Sequence, residues 1–541
     1  MEHVYDYIIV GAGSAGCVIA ARLLQKTDAR VLLLEAGGKD NSLFVKMPAG
    51  VGKAILTKTW DYTTEPDPAT SNRRMTVAQG KLLGGSSSVN GMIYIRGQRE
   101  DYDSWQEEYG CTGWGYDDLL PYFRKSENNE SLAGEQHGNH GPLFVSENRY
   151  RHPLSESFIR AGQQLGYSYR NDFNGDDQQG VGFYQTTTHN GERASTAKTY
   201  LRSVQNNPRL HLELNTLVHQ IVIENGTATG VVFQDHAGHK TTASANKEVI
   251  VAAGAIGSPK LLMLSGIGEK AHLATFNLPC HAELPVGQNY HDHMHLSVNA
   301  SLKLPLSLYG QDRGLNAVKN GLQWMAFRTG VVTSNILEGA AFVDTADQGR
   351  PDVQIHFLPA LDSWDDPEGY GKDETHGITL KVGHLRPRSR GVLALSSASP
   401  TDSVKIRANI LHHPDDLAGQ VRAVKLALQF LNTPALRQYT KRIFSPGNVV
   451  DQGNSYSLSD DAIEAFVRQT CKTVYHPVGT CRMGSDPKTS VVDLALKVHG
   501  IQKLRVVDSS VFPSITSGNT NAPVIAVAEK AADLILQAQA S

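Results

Sequence analysis

The sequence predicts an α/β fold, α+β taken overall, in which one domain is built on parallel strands and helices and another on a mainly antiparallel sheet covered by helices. Three observations predict it. Near the start, the apolar run "YDYIIV" leads into the glycine turn "GAGSAG" and then into the small-residue helical pattern "CVIAARLLQ", the beginning of a Rossmann-like domain. Further on, apolar and polar residues alternate in "PDVQIHFLPA" and "HGITLKVGHLRPRSRGVLALSS", the two-residue period of strands, and "DLAGQVRAVKLALQFL" supplies a covering helix. Finally, 541 residues are too many for one core and leave interior for a large ligand.

The first element carries the most chemistry. Gly11 permits the tight turn, Gly13 lets backbone approach a pyrophosphate, and Gly16 lets the helix pack closely on the strand; Ser14 and Ala15 open the helix whose N-terminus faces the phosphates. The next strand, in "VLLLEAGG", ends at Glu35 and Ala36, about 20 residues on, where a carboxylate binds a ribose hydroxyl. A carboxylate there repels a 2′-phosphate, which argues against NADP. NAD and FAD stay equally open at this point.

Composition removes other classes. Hydrophobic residues at 40% and charged residues at 19% describe an ordinary globular chain, and a formal net charge of −3 gives no basic face for nucleic acid. Five cysteines, Cys17, Cys111, Cys280, Cys471 and Cys481, stand without a CxxC pair, against both a disulfide framework and a zinc site. The opening "MEHVYDYIIVGAG" has no basic region of a secretory signal, and no apolar run reaches bilayer length. A cytoplasmic enzyme is expected, with peripheral association at the inner membrane left open. The sequons at Asn129 and Asn225 then carry no meaning.

Three later segments separate FAD from NAD. "GKLLGGSSSVNGMIYIRG", residues 80 to 97, is a glycine-serine turn suited to backbone lying against a flat ligand. "VIVAAGAIGSPKLLMLSGIG", residues 249 to 268, repeats strand, small-residue turn and helix start; "LRVVDSSVFPSITSGNTNAPVIAVAEKAADLIL", residues 504 to 536, runs from a strand through a polar loop into a long helix. With "YHPVGTCRMG" these segments resemble the glucose-methanol-choline family of FAD-dependent oxidoreductases over essentially the whole chain. Within it the likeness runs to bacterial alcohol, sorbose, polyethylene glycol and choline dehydrogenases.

The resemblance implies an FAD-binding domain assembled from residues 1 to 150, 196 to 300 and 470 to 541, and a substrate-binding domain from 151 to 195 and 301 to 469. It places the catalytic histidine at His476, as the general base that takes the hydroxyl proton of a primary alcohol; histidine suits the role because its ordinary pKa lies near working pH. The second catalytic position falls on Asn519, whose amide donates to the alcohol oxygen without titrating. Asn521 is the alternative by residue type, and either asparagine could simply cap the last helix. Along the flavin the resemblance implies Gly84, Val89, Asn90, Gly91, Met92 and Ile93; at the adenine, Val218; near the ribityl chain and pyrophosphate, Ala253, Gly254, Asp508, Ser509, Thr520 and Asn521. Where some members carry a histidine bonded to the flavin this chain has Val89, so FAD is expected to be noncovalent.

Several features keep two readings. "YHDHMH" places His291, His293 and His295 at alternate positions, a possible metal face on a strand, but Asp292-His293 resembles a structural turn of the family and we expect no metal. The acidic stretch 361 to 377, with Trp364 and Tyr370, is either a cation cage for choline or a solvated lid. Trp60 decides nothing. The expected activity is oxidation of a primary alcohol, aliphatic, aromatic, polyol or sugar, to the aldehyde, with electrons passed to a quinone or other carrier. The alternatives are an oxidase releasing hydrogen peroxide and a non-redox lyase on the same fold. A nicotinamide-dependent reductase would need a second dinucleotide motif, which the sequence lacks. The physiological alcohol, the acceptor and the oligomeric state are beyond sequence spacing.

Overall fold

A computed structural model describes residues 4–235, 237–362, 375–453 and 455–540. Most of the acidic stretch, with Trp364 and Tyr370, lies outside the described residues.

The strand Val4–Val10, uniformly apolar toward its end, is the spine of the first sheet and pairs in parallel with Val31–Glu35 on one side and Lys240–Val251 on the other. Leu210–Leu214 extends the sheet beyond Val31–Glu35, and Leu504–Val506 pairs in parallel with the end of Lys240–Val251. A hairpin, Leu217–Glu224 and Thr227–Gln234, finishes the other edge antiparallel. Such near-continuous Val, Ile and Leu strands require cover on both faces. The helix Ser14–Lys26 and the C-terminal helix Asn521–Ala540 pack on each other over this sheet.

The register decides where the site lies. Val10 is level with Val251 and Leu34, and Val251 with Val506, so four parallel strands end together. The residues that follow these ends are Gly11, Ala36, Ala252 and Val507, which brings segments distant in sequence to one crevice.

The second sheet runs in the order Thr440–Ser445, Met294–Leu302, Gly377–His384, Val353–Leu358, Gly339–Val343 and Gly180–Phe183, and every adjacent pair is antiparallel. The short strand Lys472–Thr473 pairs with the start of Met294–Leu302, tying the segment before His476 to this sheet. One sheet face, with Leu296, Val298, Leu380, Val382, Ile355 and Phe357, forms an apolar core with residues of the helices Pro414–Asn432 and Pro153–Gln164. The "YHDHMH" stretch differs from the strand expectation, because the strand begins only at Met294. Asp292 leaves the strand geometry to bond the segment around residue 476 instead.

Candidate active site

At the carboxyl ends of the parallel strands a cavity of about 1460 Å³ opens, and it continues to the second sheet. It is lined by Gly11, Gly13, Ser14, Ala15, Glu35, Ala36, Val89 to Ile93, Val218, Ala253, Gly254, Asp508, Ser509, Asn519, Thr520, Asn521 and His476. Of the residues expected around a dinucleotide, Gly16 and Gly84 stand behind the wall. A Cβ on Gly16 would lie 1.9 Å from the Gly11 carbonyl, so helix and strand touch there; Gly84, at φ +87°, donates its N–H to the Ala12 carbonyl at 2.7 Å and shapes the turn.

The wall fits a dinucleotide on its own geometry. Gly11 takes φ +101°, where a side chain would also strike the Ala252 carbonyl, while a Cβ on Gly254 would project into open space. The N-terminus of Ser14–Lys26 meets the cavity at Ser14 and Ala15. Glu35 ends its strand with one carboxylate oxygen accepting from Ala12 N–H at 2.9 Å and the other from Gly37 N–H at 2.8 Å. Burial pushes its pKa up to about 7 against these two bonds, so a further hydroxyl donor would be well received. Asp508 accepts from Gly254 N–H at 2.9 Å and from the Ser258 and Ser510 groups, binding two strand ends together.

At the other end of the cavity the imidazole of His476 is set by three contacts. Its backbone N–H donates to Asp292 Oδ1 at 2.9 Å, and Thr473 Oγ holds the other oxygen of the same carboxylate. Its Nδ1 lies 3.2 Å from His293 Nδ1, and its Nε2 lies 3.3 Å from Asn519 Nδ2. The tautomers follow by elimination. His293 Nε2 is 2.7 Å from the Leu385 carbonyl, which only accepts, so His293 carries its proton on Nε2 and offers Nδ1 as acceptor. His476 must then donate from Nδ1, which leaves Nε2 as a lone pair facing the amide of Asn519. Burial first, and then the neighbouring His293 and His356, hold the His476 pKa well below its ordinary value, so this imidazole is neutral at working pH.

Asn519 is aimed by its loop. Ser517 N–H and Oγ both donate to Asp101, and Arg350 pairs with the same carboxylate at 2.6 Å. Asn519 Oδ1 lies 3.4 Å from Gln354 Nε2, which leaves the amide N–H groups for the cavity. Asn521 is turned elsewhere: its Oδ1 accepts from Ser14 Oγ at 2.8 Å, at the dinucleotide turn. In the turn after Val89, Asn90 Oδ1 accepts from Met92 N–H and from buried Arg193, and Met92 sits at φ +59°.

The three histidines expected as a possible metal face have separate surroundings. His291 accepts from Ile515 N–H and reaches the Pro387 carbonyl, His293 bonds His476, and neither ring nitrogen of His295 has a hydrogen-bond partner among the described residues. Among the described residues no group of three metal-ligating side chains converges. Sequence reasoning left out Arg193, Gln354 and His356, which no motif marks, and weighed His293 only as a metal ligand or as part of a structural turn.

The chain matches the models of the GMC oxidoreductase N-terminal and C-terminal domains over residues 5–295 and 387–528. The chain belongs to the GMC oxidoreductase family. It is 40% identical over 539 residues to an oxygen-dependent choline dehydrogenase of Sinorhizobium fredii, covering 99% of this chain and 96% of that one. It is 40% identical over 540 residues to oxygen-dependent choline dehydrogenase 1 of Chromohalobacter salexigens, covering 98% and 94%. Among solved structures, pyridoxine 4-oxidase from Mesorbium loti superposes with a TM-score of 0.86 at 28% identity, covering 98% of each chain. A formate oxidase variant of Aspergillus oryzae RIB40 superposes with a TM-score of 0.90 at 26% identity, covering 99% of each. This GMC chain is a flavoprotein oxidoreductase of alcohol-type substrates with FAD as cofactor, and the cavity wall described above fits that cofactor. Among the described residues no helix is long and apolar enough to cross a membrane.

Proposed function

We propose that this GMC oxidoreductase converts a primary alcohol to the aldehyde, with His476 as general base and Asn519 as donor to the alcohol oxygen. The observation that carries the reading is the pairing of a lone-pair Nε2 on His476 with the Asn519 amide 3.3 Å away, at the wall of the cavity that residues 90–93 also line. An alcohol oxygen placed between them accepts from Asn519 Nδ2 and gives its proton to His476 Nε2. As the proton leaves, charge grows on an oxygen that Asn519 already holds, and the adjacent carbon becomes a hydride donor. FAD, when bound, supplies the hydride acceptor. Val89 lines its site with no nucleophilic atom, in keeping with a noncovalent cofactor.

On this reading residues 1–150, 196–300 and 470–541 hold FAD, and 151–195 with 301–469 hold the alcohol, the chain working in the cytoplasm and delivering electrons to a quinone or another carrier. Oxygen as acceptor, with release of hydrogen peroxide, is the second reading, supported by the names of the choline dehydrogenase relatives and by oxidases among the structural neighbours. Anaerobic mixing with primary alcohols tests the proposal. The flavin should bleach with the wild type and stay yellow with His476→Ala while FAD remains bound; fast reduction by that variant would sink the base assignment. A flavin that no alcohol bleaches would favour a lyase. Rapid reoxidation of the reduced protein by air, rather than by a quinone, would select the oxidase.

A further inference from the structure

Arg193 is a buried cation, 2% exposed, that forms no ion pair among the described residues. Its Nε donates to the Val45 carbonyl at 3.0 Å, and its Nη1 donates to the carbonyls of Ser87 at 3.3 Å and Asn90 at 2.6 Å and to Asn90 Oδ1 at 2.8 Å. Every oxygen that the guanidinium reaches among these residues is a carbonyl or amide oxygen, and Nη2 has no hydrogen-bond partner among them. Glu192, its neighbour in sequence, is taken by Lys198 and by Arg328 at 3.0 Å instead. Burial lowers the Arg193 pKa to about 9, which still leaves the group charged at neutral pH. A buried cation without a carboxylate is costly, so negative charge brought by a ligand would relieve it.

The segment that Arg193 backs joins the two ends of the cavity. Gly85, Ser86 and residues 89–93 line the wall. A Cβ on Gly85 would lie 2.7 Å from Gly13 Cα, so the segment begins against the dinucleotide turn. Ser86 Oγ donates to Gln79 Oε1 at 3.3 Å, and Gln79 Nε2 donates at 3.3 Å to the carbonyl of Tyr475, the residue before His476. Further along, Asn335 Nδ2 donates to the Gly91 carbonyl at 3.0 Å. A ligand that reaches from the Gly13 turn to His476 passes this segment. Hydride transfer adds two electrons and one proton, hence one negative charge, to the ring that receives it. A unit positive charge roughly 8 Å away favours that added charge roughly ten- to a hundredfold at an effective dielectric of about 20.

We propose that Arg193 is a fixed cation that raises the reduction potential of the bound flavin, acting through residues 87–90 without touching the substrate. This rests on the alcohol-oxidation reading only for which end of the cavity takes the flavin ring. The test is the flavin midpoint potential of the holoprotein, read by anaerobic spectroscopic titration against a reference dye, for the wild type, Arg193→Gln and Arg193→Lys, with free FAD alongside. Glutamine keeps an amide donor for the Asn90 carbonyl and drops the charge, whereas lysine keeps the charge and gives up the planar fork. Arg193→Gln should lower the equilibrium constant for reduction roughly ten- to a hundredfold, about 30 to 60 mV for a two-electron couple, and Arg193→Lys should stay within about threefold of wild type. A glutamine variant within about twofold of wild type would overturn the proposal. So would a lysine variant as low as glutamine, because Arg193 would then supply position and not charge. If neither variant holds FAD, the wild type decides: a potential above that of free FAD is the expected result, and one at or below it overturns the proposal. No alcohol enters the measurement, so a flavin whose potential shifts as expected but which no alcohol bleaches would refute the oxidation reading and leave the role of Arg193 standing.

Discussion

Replacing His293 with leucine asks whether the lone pair of His476 is set by its neighbour. His293 is 4% exposed, and its Nδ1 is the acceptor for His476 Nδ1 at 3.2 Å. Leucine fills much of the space but accepts nothing. A hydrogen bond of this kind contributes roughly 1 kcal/mol net, and leaving its donor buried without a partner costs roughly 1–3 kcal/mol. Either the proton stays on Nδ1 at that cost, or it moves to Nε2, where it would oppose the alcohol proton instead of receiving it. Converted to rate, the limiting step of flavin reduction should slow roughly 10- to 100-fold, with FAD retained. Anaerobic stopped-flow absorbance with saturating alcohol measures it. His293→Gln, which can donate to the Leu385 carbonyl and accept from His476, should recover most of the loss. A leucine variant reducing within about twofold of wild type, or a glutamine variant no better than leucine, would refute the tautomer argument.

Two further outcomes follow from the same site. Asn519→Ala removes the donor at the developing charge and should lower the limiting reduction rate roughly 10²- to 10³-fold, with substrate binding changed far less, as the same anaerobic mixing would read. Acid should unfold the protein early: His293 and His356 fall to about 4 and about 3 when buried, so between pH 6.5 and pH 4 the unfolded chain takes up protons that the folded one refuses. Stability is complete above pH 6.5 and falls as the pH drops, on the order of 3 kcal/mol for His293 alone, visible as a declining Tm across that window; a flat Tm would contradict neutral burial of these rings.

The dinucleotide end of the molecule was legible in the sequence because its grammar is local. Strand, glycine turn, helix and Glu35 lie within residues 4–35, and two of the glycines answer a backbone constraint that the structure shows: φ +101° at Gly11 and contact with the Gly11 carbonyl at Gly16. The strands 353–358 and 377–384 and the helix 414–432 were likewise written in their periods. Between Asn519 and Asn521, two residues apart, the resemblance preferred the first, and the fold turns that one to His476 and the other to Ser14.

What tertiary structure alone decided is the state of the proposed base. His476 takes its tautomer from a residue 183 positions away, its backbone hold from Asp292, and its neighbours His295 and His356 from a sheet whose pairing brings remote strands into register. Spacing along the chain carries no record of such partners, since a hydrogen bond depends on where two atoms meet in space. The sequence determined that a histidine stands before Pro477; the packing of two sheets determined which of its nitrogens carries the proton.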